Sequence, residues 1–585
     1  MRFASALTCV AALAWGAAPR RAALERAFPE VEKVFERFQR QRGIPGLVFG
    51  VVIDGELALA KGLGVRDRAA GDRVTPDTVF RIASMTKSFT ALAVLKLRDE
   101  GKLSLDDPVE KWIPEFVRMP YPTRDTAPIR VRQLLTHGAG FPEDNPWGDR
   151  QLAQSEVTLT RWLEAGIPFS TPPDTAYEYS NYGFALAGRV VARASGVPYR
   201  EYLEKQILAP LGMRSSTLEP VEVPANLRAT GYTRAGAEEP QLAHGAFGAM
   251  GGLLTSARDL ARYIAYQLSA HPPRDEEDRG PVRRSSLREM QSLWRPGTWV
   301  VDRTSPDAPL RASAGGYGFG LAVWRDCRFA HVVGHGGGLP GFGSYMLWLP
   351  DYGVGLFVMA NQTYAGPRPA IEEALEVLHK SGGLEPRRAP PVPVLTSTRD
   401  AIARLWRHWD NGQASALAAD NLFLDRPAEE RRKEMDRMKA ELGVCRAPGE
   451  VDPENLLRGR FRMPCEQGFV EFTFTLAPTN PPRLQHLSLA VVKPLGEKMR
   501  AAAEAVAAAT RSGAAPQGVE GRQLEAVRLH YGACRLGEPV SGDGARSARV
   551  LLECERGRLE LTLATDAAGR LQTSFHRPPQ VACMQ

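Results

Sequence analysis

Val79-Phe80-Arg81-Ile82-Ala83-Ser84-Met85-Thr86-Lys87 is the stretch around which the rest of the chain falls into place. It leads into an apolar segment, Ser88 to Asp99, whose composition predicts a helix, so Ser84 belongs at or near that helix's first turn. Lys87, three residues on, then lies over Ser84. A serine hydroxyl is a weak nucleophile until a base removes its proton, and a lysine serves when burial favours its neutral form. The helix N-terminus supplies partial positive charge where an oxyanion would develop.

Two further segments carry chemistry. Tyr179-Ser180-Asn181 follows an apparent loop, Thr171-Pro172-Pro173-Asp174-Thr175; a loop tyrosine near a cation can pass protons to a leaving group, and the adjacent amide can orient a carbonyl. By itself Tyr179 would read as a half-buried turn residue. Gly334-His335-Gly336-Gly337-Gly338 stands at the end of a strand-like run, where glycines let a substrate lie along a sheet edge and a free amide can donate to an oxyanion. Alone it would read as a flexible hairpin with an ordinary loop histidine.

With the three in this order the chain resembles the serine β-lactamase and penicillin-binding-protein superfamily, in particular its class C and esterase-like branch. The resemblance covers roughly Leu24 to Lys380 and includes Leu134-Leu135-Thr136-His137-Gly138-Ala139-Gly140-Phe141, Leu208-Ala209-Pro210-Leu211-Gly212-Met213 and Met250-Gly251-Gly252-Leu253-Leu254-Thr255-Ser256. It implies that Ser84 is acylated, that Lys87 and Tyr179 share the general base and acid roles, and that Asn181 hydrogen-bonds substrate and Lys87. The backbone amides of Ser84 and Gly338 would form the oxyanion hole, with Gly336 and Gly337 along the substrate and no cofactor. The departure is His335-Gly336-Gly337, where β-lactamases and transpeptidases of this superfamily carry Lys-Thr-Gly or Lys-Ser-Gly. A histidine, only partly charged near neutral pH, should hold a substrate carboxylate less firmly.

Apolar residues recur at helical spacing from Glu30 to Arg42, and strand-like runs follow at Gly46–Ile53 and Glu56–Gly62. After a middle section of helices and loops, strand-like runs return at Tyr317–Trp324, Phe329–Val333, Ser344–Leu349 and Val354–Ala360, and a helix is expected over Arg368–Lys380. The expected fold is an α/β (α+β) β-lactamase/transpeptidase-like domain: one antiparallel sheet flanked by helices, with a helical subdomain. The loop Pro142–Ala153 should help shape the substrate pocket. So should Arg274–Pro309, with a disordered-looking part from Pro272 to Arg284.

A Pro-rich linker is placed at 385–397, around Pro386, Pro390, Pro391 and Pro393. Beyond it the chain repeats. Gly443-Val444-Cys445-Arg446 is echoed by Gly532-Ala533-Cys534-Arg535, and Cys465-Glu466-Gln467-Gly468 by Cys554-Glu555-Arg556-Gly557. Helical runs precede each copy: Asp400–Leu442, then Gly496–Arg511 continuing at Arg522–His530. Two α+β modules, 398–495 and 496–585, are expected. Repeat symmetry selects Cys445–Cys465 and Cys534–Cys554 among the three connectivities that four cysteines allow. Cys327 and Cys583 read as isolated thiols at least as readily as a long-range bridge.

At 585 residues the chain is too long for one core. Met1-Arg2, the apolar run Phe3–Ala18 and Pro19-Arg20-Arg21 read as a secretory signal over 1–18, preceding a hydrolase domain at 19–384; an uncleaved anchor or a lipoprotein through Cys9 is the minor reading. With 43% apolar and 24% charged residues, a net charge of +7 and pI near 9.0, basic and acidic side chains interleave as on a solvated surface. No metal-ligand spacing, nucleotide loop or basic-aromatic stripe is present, so no metal, nucleotide or nucleic acid is expected, and no membrane span after signal removal.

The sequence therefore predicts a periplasmic or secreted serine hydrolase acting on a small-molecule or peptide ester or amide, with cell-wall association through the repeats as a hypothesis from position alone. A D-Ala-D-Ala-type peptidase or class C-like β-lactamase is the alternative within enzymes, and a non-catalytic peptide- or wall-binding protein the alternative outside them. A lipase-type hydrolase lacks its Gly-x-Ser-x-Gly elbow here.

Overall fold

The computed structural model describes residues 20–302, 311–326, 328–387, 389–516, 518–555, 557–566 and 570–576. The signal reading at 1–18 and the thiols Cys327 and Cys583 lie outside the described residues. The chain divides into two compact units, one built from residues up to Val301 and from Arg311 to Arg387, the other taking in the residues beyond Arg387.

Among the described residues the first unit holds eleven strands: β1 (Gly46–Ile53), β2 (Glu56–Asp67), β3 (Asp72–Arg73), β4 (Val79–Arg81), β5 (Leu254–Ser256), β6 (Arg295–Asp302), β7 (Arg311–Tyr317), β8 (Ala322–Asp326), β9 (Val332–Leu339), β10 (Phe342–Leu349) and β11 (Val354–Ala360). Nine of them form one sheet in the order β3-β2-β1-β11-β10-β9-β8-β7-β6, and β4 and β5 pair separately. The first long strand meets the last, with Leu47 opposite Ala360, so the helical middle of the chain is an insertion between two ends of one antiparallel sheet, as the pattern of runs predicts.

β1, β10 and β11 are buried along their whole length, which requires cover on both faces. Side chains alternate between those faces. Leu47, Phe49, Val51 and Ile53 pack against the helices Phe28–Arg42 and Arg368–Lys380, with Phe35 stacked on Phe49 at 4.3 Å. Val31, Val34, Phe35 and Phe38 form the buried stripe of the first helix, each contributing about 1.5–3 kcal/mol. On the other face Val48, Val52, Met346, Trp348 and Phe357 meet the core beneath the helix Thr86–Asp99.

Several expectations are corrected. The run Tyr317–Trp324 is two strands, β7 and β8, turned at Gly318–Leu321, and the glycine segment lies within β9 rather than at its end. The helix Arg284–Met290 and β6 occupy what reads as loop, and the stretch before them is tied down by Arg284 bonding Asp278 at 2.8 Å. A helix begins at Pro393, inside the expected linker, because proline fits a first helical turn.

In the second unit the expected helical run is broken into Pro393–Arg407, Asn411–Leu417, Leu422–Asp425 and Ala428–Leu442, followed by a four-stranded antiparallel sheet, Asp452–Asn455, Arg458–Cys465, Gly468–Leu476 and Leu484–Val492. The pattern recurs with Glu497–Ser512, Gly521–Tyr531 and the strands Cys534–Ser541, Ser547–Cys554, Gly557–Thr565 and Leu571–His576. Each copy is closed by its disulfide, Cys445–Cys465 and Cys534–Cys554, both spanning a sequence separation of 20. Val470, Phe472 and Phe474 alternate onto the buried face of the first sheet, where Trp406 meets Phe472 edge-on at 5.4 Å.

Candidate active site

β4 pairs with β5, and Ile82 donates its N–H to Leu253 O at 2.9 Å. The next residue, Ala83, has φ of 51°, a left-handed conformation that costs a non-glycine residue free energy and persists only where neighbours impose it. The imposing contacts are Thr86 Oγ1 donating to Ala83 O at 2.7 Å and accepting from Leu253 N at 3.1 Å. The reversal feeds a short 3-10 turn, Ala83–Met85, into the helix Thr86–Asp99 and sets Ser84, 7% exposed, at its head.

Lys87 is fully buried. Its Nζ lies 3.0 Å from Ser84 Oγ, 2.7 Å from Asn181 Oδ1 and 2.9 Å from Met250 O. Burial pushes its ammonium down to about 7, against the opposing pull of Asp149 and then Asp144. The same three contacts satisfy the neutral amine: two N–H bonds go to Asn181 and Met250, and the lone pair accepts the Ser84 hydroxyl.

Tyr179, half-buried, shares a hydrogen bond with Ser84, while burial pushes its phenol well above its ordinary value. The Lys87 ammonium sits 4.8 Å from the centre of its ring. Asn181 opens the helix Asn181–Ser195. Its side chain is spent on Lys87 and on Asn145 Oδ1 at 2.7 Å, and it is fully buried. Asp144 accepts the N–H groups of Asn181 and Tyr182 at 2.7 and 2.8 Å, filling the helix N-terminus.

β9 runs past Ser84. A Cβ on Gly337 would lie 2.2 Å from Ile82 O, and Ser344 on β10 donates to the same carbonyl at 2.9 Å, so only glycine lets the strand approach the turn that carries Ser84 this closely. Gly338 stands opposite Gly343, and a Cβ there would strike the Tyr364 ring at 2.6 Å. His335 is buried, and burial followed by the Lys87 charge pushes it down to about 3. Its Nδ1 donates to Gly336 O at 2.5 Å, because a carbonyl only accepts, which leaves Nε2 to accept from the Tyr317 hydroxyl at 2.7 Å. The partial charge expected for His335 is thereby corrected: its environment keeps the ring neutral at physiological pH.

The beta-lactamase family profile matches residues 31–380, more than half of the chain. The chain belongs to the beta-lactamase family. That family places it in the serine β-lactamase and penicillin-binding-protein superfamily. D-alanyl-D-alanine-carboxypeptidase/endopeptidase AmpH of Escherichia coli (strain K12) is 30% identical over 320 residues, 54% of this chain and 78% of that one. Protein flp of Staphylococcus aureus (strain MW2) is 28% identical over 338 residues, 57% of this chain and 62% of its own length, so the match spans less than two thirds of that relative. The octameric penicillin-binding protein homologue from Pyrococcus abyssi has the same fold at a TM-score of 0.51 and 21% identity, over 94% of this chain and 98% of that one.

This β-lactamase-family site also gathers residues to which the sequence gave no role. His137 Nδ1 accepts the Ser180 N–H and His137 O accepts the Glu178 N–H, both at 3.0 Å, bracketing Tyr179. Its ring lies 4.3 Å from that of Tyr179, tilted by 37°. Burial holds its imidazole well below the ordinary range, with Lys87 adding to the effect. Its only signal was membership of the Leu134–Phe141 segment. Asp149 lies in the loop Pro142–Ala153 expected to shape the pocket but had no role of its own there, and Tyr364 joins the site from a distant loop with no signal in spacing or pattern. Among the described residues no group of His, Cys, Asp and Glu forms a metal site, and no helix is long and apolar enough to cross a membrane.

Proposed function

We propose that the protein hydrolyses an ester or amide bond through an acyl-enzyme on Ser84. The contact that carries this reading is the 3.0 Å approach of the buried Lys87 amine to Ser84 Oγ. Neutral Lys87 takes the Ser84 proton as Oγ attacks the substrate carbonyl carbon, and the negative charge on the carbonyl oxygen is met by the amides of Ser84 and Gly338 and by the helix N-terminus. The intermediate collapses, breaking the bond to the leaving alcohol or amine, which receives a proton from the Tyr179 phenol; Tyr179 is resupplied by protonated Lys87. Water then attacks the acyl carbon, the bond from that carbon to Ser84 Oγ breaks to release the carboxylic acid, and the same groups return water's proton to Ser84 Oγ. Asn181 holds the lysine through these transfers, and Gly336 and Gly337 give the substrate backbone an edge to lie along.

Neutral His335 offers no positive charge to a substrate carboxylate, which favours neutral acyl groups over penicillins. A D-alanyl-D-alanine-type peptidase is the second reading, favoured by the likeness to AmpH. The disulfides, together with the signal-like N-terminus, favour a periplasmic or secreted location, and the tandem modules beyond 397 are placed as wall- or partner-binding appendages. Turnover of a short-chain p-nitrophenyl ester by wild type and by Ser84→Ala, beside turnover of an acyl-D-Ala-D-Ala peptide, tests the function. Loss of ester turnover in the variant supports it, and efficient peptide cleavage with no esterase activity would move the assignment to the peptidase.

A further inference from the structure

Asp149 is 3% exposed and sits in the short turn Gly148–Arg150. That turn is wedged into the catalytic centre. A Cβ on Gly148 would lie 2.8 Å from Cβ of Asn181, and the turn also packs against β9. Asp149 Oδ2 accepts the Tyr364 hydroxyl at 2.9 Å, and the Tyr364 ring is what occupies the space beside Gly338. Asp149 Oδ1 is buried with no hydrogen-bond partner. An orphaned carboxylate oxygen is expensive, and a purely structural role does not explain it, since asparagine would accept the Tyr364 bond equally well. What asparagine would not supply is negative charge beside a buried amine.

We propose that Asp149 is a positioning residue of the catalytic centre: its carboxylate biases Lys87 toward the protonated amine, and its bond to Tyr364 seats the ring behind Gly338. This rests on the reading of Ser84 as nucleophile and Lys87 as its base. The groups facing Lys87 are Asp149, Asp144, the Tyr179 phenol and the neutral His137 and His335; those facing Asp149 are Tyr364, Lys87, Asp144 and the exposed Arg150. Asp149 exerts the largest charge effect on Lys87. Burial in turn lifts its own carboxyl to about 6, against the pull of Tyr364 and Lys87. The two roles are separable, because Asp149→Asn removes the charge and keeps an acceptor, whereas Tyr364→Phe removes the bond and keeps the charge.

The test is kcat/KM for p-nitrophenyl acetate against pH in the full chain, for wild type, Asp149→Asn, Asp149→Glu and Tyr364→Phe, with fluorophosphonate labelling of Ser84 in each. Asp149 favours the protonated lysine, so its removal lets Lys87 stay neutral to lower pH, and the acid limb of Asp149→Asn is expected to move down by about one unit. Asp149→Glu keeps the wild-type limb, and Tyr364→Phe lowers kcat severalfold with the limb in place. An unmoved limb in folded Asp149→Asn, or an equal shift in Tyr364→Phe, overturns the proposal. If Asp149→Asn does not fold, the limb of Asp149→Glu decides: retained, it supports the role, and displaced, it overturns it. Wild type that neither turns over ester nor labels at Ser84 would instead overturn the underlying hydrolase reading.

Discussion

The Tyr317 hydroxyl donates to His335 Nε2 across 2.7 Å, and this bond, with Nδ1 committed to Gly336 O, fixes one neutral tautomer where superfamily members with Lys-Thr-Gly place a cation. His335 is therefore a hydrogen-bond acceptor and a wall, held neutral down to about pH 3 by burial. His335→Gln, which retains an acceptor for Tyr317, is expected to keep kcat/KM for a neutral ester within about tenfold, as loss of one optimised hydrogen bond would allow, and to leave the pH profile unmoved. Comparison of the two profiles between pH 5 and 9 checks this.

His137 grips both sides of Tyr179. Its φ of 56° makes asparagine the least disruptive replacement, because that side chain tolerates the left-handed region. His137→Asn keeps an oxygen that can accept the Ser180 N–H but loses the ring packed on Tyr179, so kcat should fall by about 10–100-fold, with KM changed much less. Steady-state kinetics on one ester separates the two parameters.

Gly337→Ala puts a methyl group 2.2 Å from a backbone carbonyl that no rotamer change can move. It is expected to displace β9 from the Ser84 turn, costing about 1–3 kcal/mol and abolishing Ser84 labelling. The denaturation midpoint and the labelling yield measure the two effects.

Replacing Cys445 and Cys465 together by alanine opens a loop of 20 residues. About 3 kcal/mol of stability should be lost from the first C-terminal module. A urea titration followed by Trp fluorescence, with and without reductant, should show one transition moving in the wild type on reduction and already moved in the variant.

What the chain discloses before folding depends on how local the constraint is. Lys87 over Ser84 follows from a helical spacing of three, and the two ends of the sheet follow from apolar runs long enough to be buried on both faces. The tandem modules are legible in paired cysteines and period-two alternation. The glycines of β9 read as the end of a strand because glycine disfavours strands in isolation; the strand runs through them because it pairs with β10, and Gly337 clears Ile82 O, residues far apart in sequence. The same holds for Asp149 and Tyr364, separated by 215 positions, whose meeting is set by tertiary packing alone. In the Arg274–Pro309 region, prolines and mixed charge hid a helix whose Arg284 is buried and ion-paired to Asp278.

On the proposed mechanism, neutral, buried Lys87 takes the proton of Ser84. The measurement that meets it most directly is the rate of Ser84 modification by a fluorophosphonate as a function of pH, with the site identified by mass spectrometry. Because the neutral amine is the active form and burial holds its ammonium at about 7, the rate should rise with pH to a plateau through an apparent pKa near that value, and vanish in Ser84→Ala and Lys87→Ala. A label on another residue, or a rate in wild type that keeps rising to pH 10 without a plateau, would contradict it.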